Sequence, residues 1–126
     1  MYYFVRQHDP GSPGGSAYGI LTAYDLITGE WEPPVFVGDC QSRSDFIYYQ
    51  GGLYLFYAPT DRNHIGILRI NTENLAESKV VLQADMQSSC FYPFVQYNSK
   101  GELCMSYTVN RRYIRLASFT LSKYLD

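Results

Sequence analysis

The chain has 126 residues, a net charge of −2, and equal 17% shares of charged and aromatic side chains, with thirteen tyrosines. That much apolar and aromatic area offsets the entropy of ordering and excludes a disordered chain, and the length points to one domain, 1–126, with a real core. No Lys/Arg cluster is longer than Arg111-Arg112 and no apolar run reaches eighteen residues, which excludes a phosphate-tracking nucleic-acid face and an apolar membrane-spanning helix.

Residues 2–7 (YYFVRQ) read as a strand, and 8–16 (HDPGSPGGS) as a Pro/Gly loop. A second strand spans 18–25, the turn LITGE precedes Trp31, Pro33-Pro34 break pairing, and 35–39 (VFVGD) form a third strand. DFIYYQ (45–50), LYLFYAP (53–59), HIGILRIN (64–71) and KVVLQAD (79–85) then give four strands. Gly51-Gly52 supply a tight hairpin, TDRN a polar loop, and TENLAES one helical turn. FYPFVQYN (91–98), ELCMSYTVN (102–110) and YIRLASFTL (113–121) follow, with SKYLD as a tail. Tyrosine at this density suits sheets, where a ring packs and its hydroxyl reaches an edge; the same rings could stack on sugars.

The most informative feature is a repeat. The stretch around Gly52 to Ile67 recurs around Gly101 to Leu116, with Leu53, Tyr57 and Arg62 falling on Leu103, Tyr107 and Arg112 at an offset of 50. Gly19-Ile20-Leu21 lies over Gly66-Ile67-Leu68 at an offset of 47. A period of this length, with alternating aromatic and aliphatic positions, predicts an all-β chain of β-propeller blades. The units run over 1–40, 41–87 and 88–126, about two and a half four-stranded antiparallel blades. The first lacks its innermost strand and the last its fourth, so the prediction is a partial propeller. A second copy forming a homodimer, or further upstream blades, would complete the ring.

Loops between inner strands of a propeller gather at one end of the channel. Arg43-Ser44-Asp45, Asp61-Arg62-Asn63 and Asn110-Arg111-Arg112 fall at such points, and Arg6 occupies the same place in the first unit. Recurring guanidiniums could converge on one carboxylate, each offering paired donors; alternatively they cap strand ends or pair with Asp45 and Asp61. Arg43, Asp45, Arg62, Asn63, Arg111 and Arg112 are therefore the candidate ligand-binding residues. Tyr92, before Pro93 at the entry to an inner strand, is a candidate nucleophile if a carboxylate removes its proton; the alternative is a packed ring.

Cys40, Cys90 and Cys104 have no metal-ligand spacing and read as buried small side chains in a reducing compartment. His8 and His64 have no third ligand in register, so no metal is expected, and no cofactor motif is present. Starting directly in strand-like sequence, MYYFVRQHDPG lacks the segments of a secretion signal. The expectation is a cytoplasmic protein or a unit cut from a longer chain.

SSCFYPFVQYNSKGELCMSYTVNRRYIRL resembles the last blade of the BNR-repeat, sialidase-like propellers, through Ser89, Tyr92-Pro93, Gly101, Leu103, Tyr107-Thr108, Asn110-Arg111-Arg112 and Ile114. RSDFIYYQGGLYLFYAPTDRNHIGI looks like the preceding blade, and Asp25 to Trp31 is a degenerate relative of the family's Asp-box. The likeness covers about 40–121 well and 1–39 loosely. It implies a glycoside hydrolase without cofactor, acting on a carbohydrate. An Arg trio would hold the substrate carboxylate, matched by Arg43, Arg62 and Arg112, and Tyr92 would match the nucleophile. The other readings left open are a non-catalytic carbohydrate-binding propeller and an inactive fragment.

Overall fold

The structure is a computed structural model that describes residues 1–8, 17–40, 43–59 and 63–121. The chain is all-β, and among the described residues ten strands form three separate antiparallel sheets. The first holds β1 (Tyr2–His8), β2 (Ala17–Ala23) and β3 (Val35–Asp39) in that order. The second holds β4 (Asp45–Tyr49), β5 (Gly52–Tyr57), β6 (His64–Ile70) and β7 (Lys79–Asp85) in chain order. In the third, β9 (Leu103–Val109) lies between β8 (Cys90–Tyr97) and β10 (Tyr113–Phe119). Strand-to-strand neighbours are thus all consecutive in sequence. A 3-10 turn, Leu75–Glu77, capped by the Asn74 side chain, leads into β7.

The turns use left-handed backbone. The β4–β5 hairpin turns on Gln50 and Gly51, with φ of 47° and 79°, and Tyr49 pairs with Gly52. The turn therefore sits one residue earlier than Gly51-Gly52, and Gly52 belongs to β5. A Cβ there would lie 2.8 Å from the Tyr54 ring, so Gly52 is needed for close packing rather than for the turn. Gly101 (φ 76°) turns β8 into β9, and its N–H donates to the Asn98 carbonyl at 3.0 Å. Gly51 and Gly101 are 50 residues apart, so the repeat is carried by the turns as well as the strands.

The second sheet is covered on both faces. Leu53, Leu55, Tyr57, Leu68 and Ile70 pack against Leu21, Val37 and Phe4 of the first sheet. Tyr54, Phe56, Ile65 and Ile67 pack against Val95, Leu103, Met105 and Tyr107 of the third. Every residue of β5 is consequently buried, each large side chain contributing about 1.5–3 kcal/mol of burial. The 47-residue alignment of β2 on β6 does not survive as a spatial equivalence. Leu21 faces forward onto the second sheet, whereas Leu68 faces back onto the first. Side chains alternate with a period of two, so a one-residue slip exchanges the faces. The 50-residue repeat keeps its facing: Leu53 and Tyr57 point back to the first sheet, Leu103 and Tyr107 back to the second.

The outer sheets each have one open face. On the first, Val5 pairs with Ile20 and Ile20 with Phe36, and Phe36 is 69% exposed. On the third, Phe94 pairs with Ser106 and Ser106 with Leu116, which is 79% exposed. Among the described residues no helix is long and apolar enough to cross a membrane. Cys40 and Cys90 are buried, Cys104 is half-buried, and none forms a disulfide.

Candidate functional site

One cleft, of about 710 Å3, draws its lining from all three sheets: Phe4 from β1, Arg43, Ser44 and Asp45 at the entry to β4, and Tyr92, Pro93 and Phe94 from β8. β1, β4 and β8 are each the edge strand at which their sheet begins. The sheets therefore present their first strands to a common space.

Asp45 opens β4 and pairs with Phe56. Its Oδ2 accepts a hydrogen bond from the Val95 N–H at 2.9 Å, which links the first strands of the second and third sheets. Beside it, the Ser44 hydroxyl lies 3.7 Å from the buried Cys40 thiol. Arg43 is exposed on the same wall. These three residues combine a cation, a hydroxyl and a carboxylate within one tripeptide.

The opposite wall is made by a bulge. The β8–β9 register runs Phe91 to Thr108 and then Phe94 to Ser106, so Tyr92 and Pro93 together occupy the place of one residue. Tyr92 adopts φ of 53°, a left-handed conformation that is strained for a bulky side chain. The bulge turns the phenol outward, 55% exposed, while Pro93 stays buried. Phe94, 52% exposed, and Phe4 add two more rings to the cleft. Gly19 makes room for Phe4, since a Cβ at position 19 would overlap the ring.

The predicted site residues therefore separate. Arg43, Asp45 and Tyr92 come together in this cleft. Asn63, Arg111 and Arg112 are not among its lining residues. The Asn63 carbonyl accepts from Met86 N–H at 2.8 Å, closing the β6–β7 pair. Asn110 and Arg111, with φ of 51° and 56°, are the centre of the β9–β10 turn, closed by Arg112 N–H on the Val109 carbonyl at 3.0 Å. The Arg111 guanidinium lies 5.4 Å from the centre of the Phe91 ring, and the Asn110 side chain accepts from Ser89 N–H. Arg62, with Asp61, lies outside the described residues, as does the loop 9–16. The Arg6 backbone pairs with Gly19. Phe4 and Phe94 carried no signal as site residues, because aromatic positions in strands read as core. The bulge at Tyr92-Pro93 is what changes the facing of Phe94.

Two further features are electrostatic. Asp25 Oδ1 accepts from the N–H groups of Ile27 and Thr28 at 2.8 and 3.2 Å, and these bonds hold its carboxyl below the ordinary value. Trp31 packs on Tyr3 and Tyr24 behind this turn, with ring centres 5.2 and 5.0 Å away. A second cleft, of about 540 Å3 at the far end of the second sheet, is bordered by Tyr2, Tyr48, Arg69 and Lys79. Burial pushes the Tyr2 phenol up, with Tyr48 adding to it and a bond to Thr72 opposing. Asn71 in that cleft is taken up by its own loop, accepting from the N–H groups of Glu73 and Asn74. Among the described residues no group of three His, Cys, Asp or Glu could hold a metal ion. Comparison of the chain with protein-family models, with curated proteins and with solved structures finds no match.

Proposed function

We propose that the three sheets are blades of a sialidase-like propeller and that the cleft at their first strands binds a carbohydrate. The carrying observation is the chemistry of the lining. Phe4, Tyr92 and Phe94 offer ring faces for the apolar side of a pyranose, and Arg43, Ser44 and Asp45 offer hydrogen bonds to its hydroxyls or to an acidic substituent. Binding is favoured over hydrolysis because the described lining holds a single carboxylate, Asp45, already engaged by Val95. Glycoside hydrolysis ordinarily takes two carboxyl groups, or a tyrosine activated by one.

Hydrolysis is the second reading, and the Tyr92 backbone supports it. A left-handed tyrosine raised on a bulge beside a carboxylate-bearing wall is the kind of strained position that catalytic sites retain. A panel of neutral and acidic oligosaccharides, followed by calorimetry and by release of reducing sugar, separates the readings. Saturable binding that Arg43→Ala weakens at least tenfold, without sugar release, establishes the binding reading. Release that Tyr92→Phe abolishes establishes the hydrolytic one. Absence of binding to any sugar in the panel ends both.

A further inference from the structure

We infer that two copies of this chain associate head to tail, the open face of the first sheet in one copy seating on the open face of the third sheet in the other. Resting on the propeller reading above, this names the partner that completes the ring.

The argument starts from direction. The forward face of the first sheet (Phe4, Leu21, Val37) meets the backward face of the second (Leu53, Leu55, Tyr57). The forward face of the second (Tyr54, Phe56, Ile67) meets the backward face of the third (Leu103, Met105, Tyr107). Because Leu53 and Tyr57 correspond to Leu103 and Tyr107, both junctions use the same kind of contact in the same sense. That series leaves one backward face over, on the first sheet, and one forward face, on the third. They are complementary in kind and cannot meet within one stack of three.

Their composition agrees. The first is the row Val5, Ile20 and Phe36, with the Tyr18 ring 5.6 Å from Phe36. The second is the row Ser106 and Leu116 with Ile114 beside it at 71% exposure, and Phe94 stands at its cleft end. Neither row carries a charge, and both expose large apolar side chains of the kind a protein covers with a partner. A second copy is the occupant because its own third sheet supplies the forward face this series lacks. Propeller rings close with about four to eight blades, and the three sheets of the described residues, taken twice, give six. A head-to-tail contact that closes makes a ring, and one that does not makes an open filament.

The test is the mass in solution by light scattering. Wild type is expected at twice the 14.5 kDa chain mass. Phe36→Asp and Leu116→Asp, both at exposed positions, are each expected to halve it. An equimolar mixture of the two variants is expected to restore the doubled mass, because each retains the face that the other has lost. Far-UV circular dichroism checks that the variants are folded, and Phe36→Ser with Leu116→Ser replace any that are not. A wild type that runs as a single chain or as an open series overturns the inference. So does a dimer that either variant leaves intact, or one that mixing does not rebuild. Sugar titration of the wild type is read separately, so loss of the ring and loss of the carbohydrate reading are distinct outcomes.

Discussion

The Asp45 carboxylate accepts the Val95 N–H at 2.9 Å, so the residue that opens β4 also holds down β8 in the next sheet. The same side chain borders the cleft. Its removal leaves a backbone donor in a half-buried place without its partner. Asp45→Ala is expected to cost about 1–3 kcal/mol, whereas Asp45→Asn keeps an oxygen acceptor and costs less. Urea unfolding of the two variants measures the difference, and equal losses would show that this bond does not join the sheets.

Gly19 and Gly66 make a paired test of packing. A Cβ at either would overlap a ring, Phe4 at Gly19 and Tyr57 at Gly66. Tyr57 is buried on all sides, so Gly66→Ala is expected to cost about 1–3 kcal/mol through overpacking. Phe4 borders an open cleft and can swing aside. Gly19→Ala is therefore expected to cost less than Gly66→Ala but to weaken sugar binding, read by thermal melts and calorimetry.

Tyr92 is strained in place. Left-handed backbone costs a bulky residue roughly 1–2 kcal/mol, and glycine in its stead would be free of that strain but looser when unfolded by about 0.5–1 kcal/mol. Tyr92→Gly is expected to keep stability within about 1 kcal/mol of the parent while removing the ring that the proposed carbohydrate site uses, so that any sugar binding found for the parent is lost. A large loss of stability would mean that the phenol is a packing element rather than a ligand contact.

The Asp25 turn carries a pH signature. Two backbone N–H groups lower its pKa, so the folded state favours the charged form. Its contribution is present above the unfolded carboxylate value and fades as the pH falls through the folded one. Asp25→Asn keeps the acceptor and removes the charge. Its unfolding midpoint is expected to vary less with acidification than that of the parent, and an unchanged acid profile would refute the linkage.

The ten strands of the described residues were legible as runs rich in aromatic and aliphatic residues between polar or turn-forming segments. Facing was less legible. The 47-residue match of Gly19 to Gly66 aligned identical letters, yet packing placed Leu21 and Leu68 on opposite sides of their sheets. Sequence likeness cannot register a one-residue shift when both faces of a strand are apolar, as they are throughout β5. The lining of the cleft was legible in part, where polar residues interrupt a strand entry at Arg43 and Asp45 and where Pro marks irregular pairing after Tyr92. Arg111 resisted reading because its left-handed backbone assigns it to a turn, which the repeat alone does not show.

The central position of the second sheet has a kinetic consequence. With neighbours on both sides, the amides of β5 should be the last to exchange with deuterium, opening only when the whole molecule does. The flanking sheets, each packed within the chain by one face only, can fluctuate without loosening that middle layer. Encounters and separations at the periphery would then leave the heart of the molecule undisturbed.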